Sequence, residues 1–137
     1  VGAEPVHVVQ VGVQVIDDQV GAPTGADLLA DATAHAVRSL DVHPELGGTY
    51  HVAAAGETNW FEYARLVVEG ARGRGWALKI APDGIKPVST AAYPTAARRP
   101  LNSRLDCARF EQAFGLCLPS WQFGVERLID ELKPAIA

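Results

Sequence analysis

Residues 11–40 constrain this chain most, because a strand pattern there hands over to a helix pattern through a short loop. Val11 to Asp17 is β-branched and apolar, which favours a strand. Gly21, Pro23 and Gly25 then form a loop. Ala26 to Leu40 places Leu29, Ala32, Ala36, Val37 and Leu40 on one face at helical spacing. A strand followed at once by an amphipathic helix belongs to an α/β architecture.

The remaining pattern continues in short pieces. Gly47-Gly48 resets the chain, and Thr49 to Ala53 is a short strand candidate. Asn59 and Glu62 stand at capping-box spacing. The helix they open has Trp60, Tyr63, Ala64, Val67, Val68 and Ala71 as its buried stripe, and Gly73 and Gly75 end it. Trp76 to Ala81 and Lys86 to Ser89 read as two strands separated by a Pro82-Asp83-Gly84 turn. Residues 90–104 hold two prolines and little periodicity, so an ordered loop is expected there. Asp106 caps a short helix packed through Phe110, Ala113 and Phe114. Ser120 opens the last helix, with Trp121, Val125, Leu128, Ile129 and Leu132 inward. The expectation is one α/β domain over residues 1–137, with about four helices and few short strands. Those strands are too scattered for a full doubly wound sheet.

Charge separates the two halves. Residues 1–69 carry two basic and ten acidic side chains, whereas residues 70–137 carry ten basic and six acidic ones. An anionic ligand is therefore expected against the second half, while the net charge of −4 argues against a nucleic-acid partner. No apolar run approaches the roughly 18 residues of a membrane span, and no signal peptide is visible. Two cysteines, Cys107 and Cys117, do not make a disulfide framework, so a reduced, cytoplasmic setting is expected. There is no methionine, and Val1 is not an initiator residue, so a processed chain or a piece of a longer one is expected.

Two loops carry candidate chemistry. Ala97-Arg98-Arg99-Pro100-Leu101-Asn102-Ser103-Arg104 gathers three guanidiniums, an amide and a hydroxyl. Guanidinium forks suit phosphate or carboxylate oxygens; the alternative is a solvated basic loop. Asp18 to Thr24 joins a strand to a helix, a junction where ligands meet free helix N–H groups. Trp60 offers an aromatic face for a sugar or base, although a core anchor is the simpler account. Asp17, Asp18, Asp27 and Asp31 could gather a hard cation, or Asp27 could compensate the helix dipole.

Several chemistries are missing. Gly70, Gly73 and Gly75 lie at a helix end, where they stop the helix and do not cradle a pyrophosphate. No tyrosine is followed four residues later by lysine, and no G-x-S-x-G elbow exists. His7, His35, His43 and His51 show no metal-ligand spacing. No catalytic residue is expected within this chain.

Read together, several blocks resemble the C-terminal part of the dTDP-4-dehydrorhamnose reductases. They are Val15-Ile16-Asp17-Asp18-Gln19-Val20-Gly21-Ala22-Pro23-Thr24-Gly25-Ala26, Gly48 to Ala53, Gly56 to Trp60, Tyr93 to Pro100, Asn102 to Leu105 and Leu118 to Trp121. The likeness runs in order over about residues 14–132. It implies the C-terminal substrate-binding portion of an extended short-chain dehydrogenase whose N-terminal Rossmann part is absent. Residues 1–12 depart from it, since the family has a helix there and Gly2, Pro5 and Gly12 do not read as one.

The resemblance implies an oxidoreductase of dTDP-rhamnose biosynthesis. Such an enzyme reduces dTDP-6-deoxy-L-lyxo-4-hexulose to dTDP-L-rhamnose with NAD(P)H. The cofactor loop and the catalytic tyrosine and lysine then lie outside this chain, which alone is expected neither to bind NAD(P)H nor to turn over. Gln19, Pro23, Thr24, Arg99, Asn102 and Ser103 would contact the dTDP-sugar, while Arg98 and Arg104 would be solvated neighbours. Asp27 stands at an acidic position that resembles a Mg2+-binding dimer contact in some members, with aspartate here in place of glutamate. A homo-oligomer is implied. The alternative is a non-catalytic regulatory or sugar-nucleotide-binding module of the same family.

Overall fold

The architecture comes from a computed structural model that describes residues 11–92, 97 and 99–132. Tyr93 to Ala96, Arg98 and most of the atypical first twelve residues lie outside the described residues. β1 (Val11–Ile16) opens the described chain, as its β-branched sequence predicts. β2 (Val20–Gly21) follows within the expected loop, and α1 (Ala26–Leu40) occupies the helical pattern in full. After β3 (Thr58–Asn59) come α2 (Trp60–Gly73), β4 (Ile80–Val88), α3 (Ala108–Phe114) and α4 (Trp121–Glu131). Four α-helices and few, short strands make the α/β class that the sequence predicts.

The strands form two separate pairs. β1 lies parallel to β4, and β2 lies antiparallel to β3. The two strands expected at Trp76–Ala81 and Lys86–Ser89 are one strand. The Pro82-Asp83-Gly84 turn is folded into it as an irregularity, so the partner in β4 jumps from Ile80 to Ile85 between Val11 and Val13. A β-carbon on Gly84 would meet Ile80 Cγ1 at 2.9 Å and the Ala81 nitrogen at 3.0 Å, so the bulge closes only around glycine. Pro82 and Pro87 are tolerated because, among the described residues, β4 pairs with β1 alone.

A second correction concerns Thr49–Ala53, which is irregular and not a strand. Its residues have no ladder partner among the described residues, and Tyr50, Val52 and Ala53 serve instead as filling. Tyr50 and Val52 pack beside Phe110 and Phe114, and Ala53 is buried. The Tyr50 ring meets Phe114 edge-on at 5.1 Å, while its hydroxyl donates to the Leu46 carbonyl at 2.6 Å. Aromatic packing with a satisfied hydroxyl replaces the ladder.

Helix ends follow the sequence closely. Asn59 Oδ1 accepts from the Glu62 N–H at 2.8 Å, which is one half of a capping box. The return half is not made, because the Glu62 carboxylate pairs with Arg65 at 2.9 Å. Asp106 accepts from the Ala108 N–H at 2.9 Å, although Cys107 occupies the cap position itself. Ser120 caps α4. Gly75, with φ of 80°, turns the chain after α2 in the left-handed region where glycine is favoured.

Two apolar clusters hold the elements together, and Leu28 touches both. In the first, Ala54 and Ala71 meet Trp121, Val125 and Ile129 of α4. A β-carbon on Gly70 would come within 2.9 Å of Ile129 Cδ1, so glycine lets α2 and α4 approach closely. In the second, Ala32 of α1 meets Phe110, Phe114 and Leu118. Several stripe residues expected inside are exposed: Leu29 and Val37 on α1, Leu128 and Leu132 at the end of α4, and Trp60 on α2. The inward arcs are narrower than the apolar arcs, because each helix is covered on one side only.

Candidate functional site

A cleft of about 290 Å³ opens where β2, β3, the start of α2 and the segment after residue 99 converge. One wall is Gln19 to Pro23, running from the end of β1 toward α1. A second is Thr58 and Asn59 of β3 with Trp60 and Tyr63 of α2. Arg99, Pro100 and Ser103 form the third. The acidic and basic halves of the sequence thus meet at this cleft.

Backbone bonds centred on Val20 bring these walls together. The Val20 N–H donates to the Leu101 carbonyl at 2.8 Å, and the Ser103 N–H donates to the Val20 carbonyl at 2.9 Å. Val20 also pairs with Asn59 across the β2–β3 ladder. One residue therefore ties three sequence segments into one rim.

Of the residues expected at a ligand, Gln19, Pro23, Arg99 and Ser103 line this cleft together. Thr24 and Asn102 are not among its lining residues, and the side-chain oxygen of each is engaged within the chain. Thr24 Oγ1 donates to the Ala22 carbonyl and accepts from the Ala54 N–H, both at 3.0 Å. Asn102 Oδ1 accepts from the Arg104 backbone at 3.1 Å and from its Nε at 3.0 Å. Arg104 also pairs with Glu57, and both side chains stay exposed to solvent. Arg99, by contrast, is exposed and has no hydrogen-bond or ion-pair partner among the described residues.

Trp60 corrects the core-anchor account. Trp60 is 54% exposed and lines the cleft, with Tyr63 edge-on at 6.1 Å. Tyr63 in turn leans on Trp121 at 6.4 Å, which couples the rim to the core. The position is set by the cap. Asn59 ends the extended segment, so the first helical residue stands at the helix mouth and not along its buried side. That reasoning was available from the capping spacing, and it also points to Thr58 and Asn59 themselves.

Behind the first wall, Asp18 is held by Thr90. Both Asp18 carboxylate oxygens lie 3.0 Å from the Thr90 N–H, and the Thr90 hydroxyl donates to Oδ1 at 2.5 Å. Gln19 Nε2 donates to the same Thr90 hydroxyl oxygen at 3.1 Å. These hydrogen bonds, the hydroxyl's first, hold the Asp18 carboxyl below its ordinary value.

The four aspartates do not converge on a cation. Asp27 pairs with Arg127 at 2.9 Å across a smaller hollow of about 90 Å³ between the starts of α1 and α4. Among the described residues no three His, Cys, Asp or Glu side chains come together, so these residues do not by themselves compose a Mg2+ site. The turn after β1 holds Gly21 and Gly25 around Pro23, which is not a pyrophosphate cradle. No helix among the described residues is long and apolar enough to cross a membrane.

Comparison with known proteins agrees with this geometry. The model of the RmlD substrate binding domain matches residues 9–133. A dTDP-4-dehydrorhamnose reductase of Shigella flexneri is 54% identical over 118 residues, which is 86% of this chain and 39% of that protein. The chain thus spans about two fifths of the length of the curated relatives it matches. The crystal structure of the Bacillus anthracis dTDP-4-dehydrorhamnose reductase, in complex with NADP, superposes with a TM-score of 0.69 at 31% identity. It covers 89% of this chain, which covers 39% of it. A Clostridium acetobutylicum structure shares the fold at a TM-score of 0.73 and 24% identity, over 90% of this chain and 39% of its own. With the match running almost end to end, the chain belongs to the RmlD substrate binding domain family.

Proposed function

We propose that residues 1–137 are the substrate-binding domain of a dTDP-4-dehydrorhamnose reductase, and that the cleft holds the dTDP-sugar. The observation that carries this reading is Arg99, an exposed guanidinium with no partner among the described residues, lining the same cleft as the exposed Trp60. A nucleoside diphosphate sugar offers what those two groups recognise, an anionic diphosphate and flat or apolar ring faces. Pro23 and Ser103 complete the contact surface, and Thr24 and Asn102 belong to the ligand-facing loops through the backbone they hold.

On this reading the whole enzyme reduces dTDP-6-deoxy-L-lyxo-4-hexulose to dTDP-L-rhamnose, and a nicotinamide cofactor bound outside this chain supplies the hydride. This chain's residues bind and orient the sugar nucleotide and perform no proton transfer. NADPH is the cofactor that the Bacillus anthracis relative, solved with NADP, suggests for the intact protein. Among its described residues there is no pyrophosphate cradle, and the chain alone should be inactive. Exposed Leu29 and Val37 on α1 favour a homo-oligomer or cover by the rest of the enzyme. The cytoplasm, with soluble nucleotide sugars and reduced cysteines, is the setting that fits. Asp27 would meet Mg2+ only with ligands from a second subunit and with Arg127 displaced.

The test is Arg99→Ala in the intact reductase. Loss of a charge-assisted contact of about 1.5–3 kcal/mol should raise KM for the dTDP-sugar at least tenfold with the nicotinamide KM unchanged. An unchanged KM for the sugar nucleotide overturns the assignment.

A further inference from the structure

We propose that Asp18 and Thr90 act as positioning residues that fix Gln19 as a hydrogen-bond acceptor toward the ligand. Gln19 then meets a hydroxyl or imide N–H of the sugar nucleotide and not its phosphates. The inference rests on the reading of the cleft as a dTDP-sugar site and specifies one of its contacts.

The argument is a count of protons. A threonine hydroxyl has one hydrogen to donate and lone pairs to accept with. An ionised carboxylate can only accept. Thr90 Oγ1 lies 2.5 Å from Asp18 Oδ1, so the proton between them belongs to threonine. With its hydrogen used, Thr90 can only accept from Gln19, and the Gln19 group at 3.1 Å must be the NH2 end of the amide. The hydrogen-bond network thus fixes the amide orientation. The opposite end, Oε1, has no hydrogen-bond partner among the described residues. Gln19 lines the cleft, and among the described residues no buried side-chain oxygen or nitrogen is left unsatisfied, so Oε1 is open to what occupies the cleft.

The charge on Asp18 maintains this polarity. Two hydrogen bonds from Thr90 stabilise the ionised carboxylate, which keeps the hydroxyl proton pointed at it. A phosphate oxygen offers only lone pairs, so Gln19 Oε1 would repel it. Arg99 on another wall is the group suited to phosphate. Anion and donor recognition are thereby assigned to different walls of one cleft.

Three probes separate the outcomes in the intact protein: inorganic pyrophosphate, dTDP and dTDP-rhamnose. Gln19→Leu should weaken dTDP-rhamnose by about five- to tenfold and leave pyrophosphate unchanged. A loss already present with dTDP places the donor on the nucleoside, at its imide or its deoxyribose hydroxyl; a loss confined to dTDP-rhamnose places it on a rhamnose hydroxyl. Thr90→Val should reproduce part of the same selective loss, and Thr90→Ser, which keeps the hydroxyl, should restore it. General damage to the fold would weaken pyrophosphate as well. Equal losses for all three probes, or none for any, overturn the proposal, as does a folded Thr90→Val protein with unaltered preference. If Thr90→Val does not fold, Gln19→Leu alone decides whether Oε1 is the acceptor. A wild-type protein that binds neither dTDP nor dTDP-rhamnose overturns the dTDP-sugar reading and this inference with it. Binding of both without dependence on Gln19 overturns the inference alone.

Discussion

Gly21 lies so close to Ser103 that a β-carbon at Gly21 would stand 2.7 Å from the Ser103 hydroxyl oxygen. The backbone there is not left-handed, so the penalty for a larger residue comes from Ser103 alone. That hydroxyl also donates to the Val20 carbonyl at 3.1 Å. Gly21→Ala should displace it, cost about 1 kcal/mol of stability and weaken dTDP binding in the intact protein. In a Ser103→Ala background most of that cost should disappear. A double-mutant cycle by urea unfolding checks this, and additive effects would show that the contact is not the cause.

Ile129 gives a second cycle, in the core. It is 4% exposed and packed against α2, so Ile129→Ala should cost about 2–5 kcal/mol. Gly70→Ala adds a methyl 2.9 Å from Ile129 Cδ1, although alanine is the better helix former by about 1 kcal/mol. Gly70→Ala should therefore gain little or lose stability alone, yet stabilise a protein carrying Ile129→Val, from which Cδ1 is gone. Equal effects in both backgrounds, read from urea midpoints, would disprove the close approach.

Acid provides a third test. The Asp18 carboxyl is lowered from 3.8 chiefly by the Thr90 hydroxyl bond. A depressed carboxyl contributes stability above its unfolded value and loses that contribution as pH falls through the folded one. The stability difference between wild type and Thr90→Val should be constant from neutral pH to about 5. It should then shrink as pH falls below 3.8. Unfolding monitored at stepped pH would read this directly; a difference that grows on acidification has the wrong sign.

How far the sequence foretold this depends on what each residue answers to. All four α-helices were legible because 3.6-residue periodicity and caps such as Asn59 and Ser120 are local signals. The Thr49–Ala53 segment looked like a strand by composition, but strand status needs a partner, and none of its neighbours offers a ladder. Leu128 and Leu132 looked buried because apolar spacing reports a face, not how much of that face another element covers. The meeting of Gln19 with Arg99 was not readable from spacing, since it depends on Val20 joining distant segments. Family resemblance named both loops; the Val20 bonds supply the reason they share a cleft. Thr90 left no trace in the sequence, being one hydroxyl in an aperiodic stretch.

The Val20 junction also has a kinetic side. The rim exists only after residues near 20 have found residues near 101, a long closure with a correspondingly large entropic cost. Helices form from neighbours, but this cleft waits for two distant segments to meet. The binding site should be the last feature to assemble and the first to open, with a seated ligand acting as the latch.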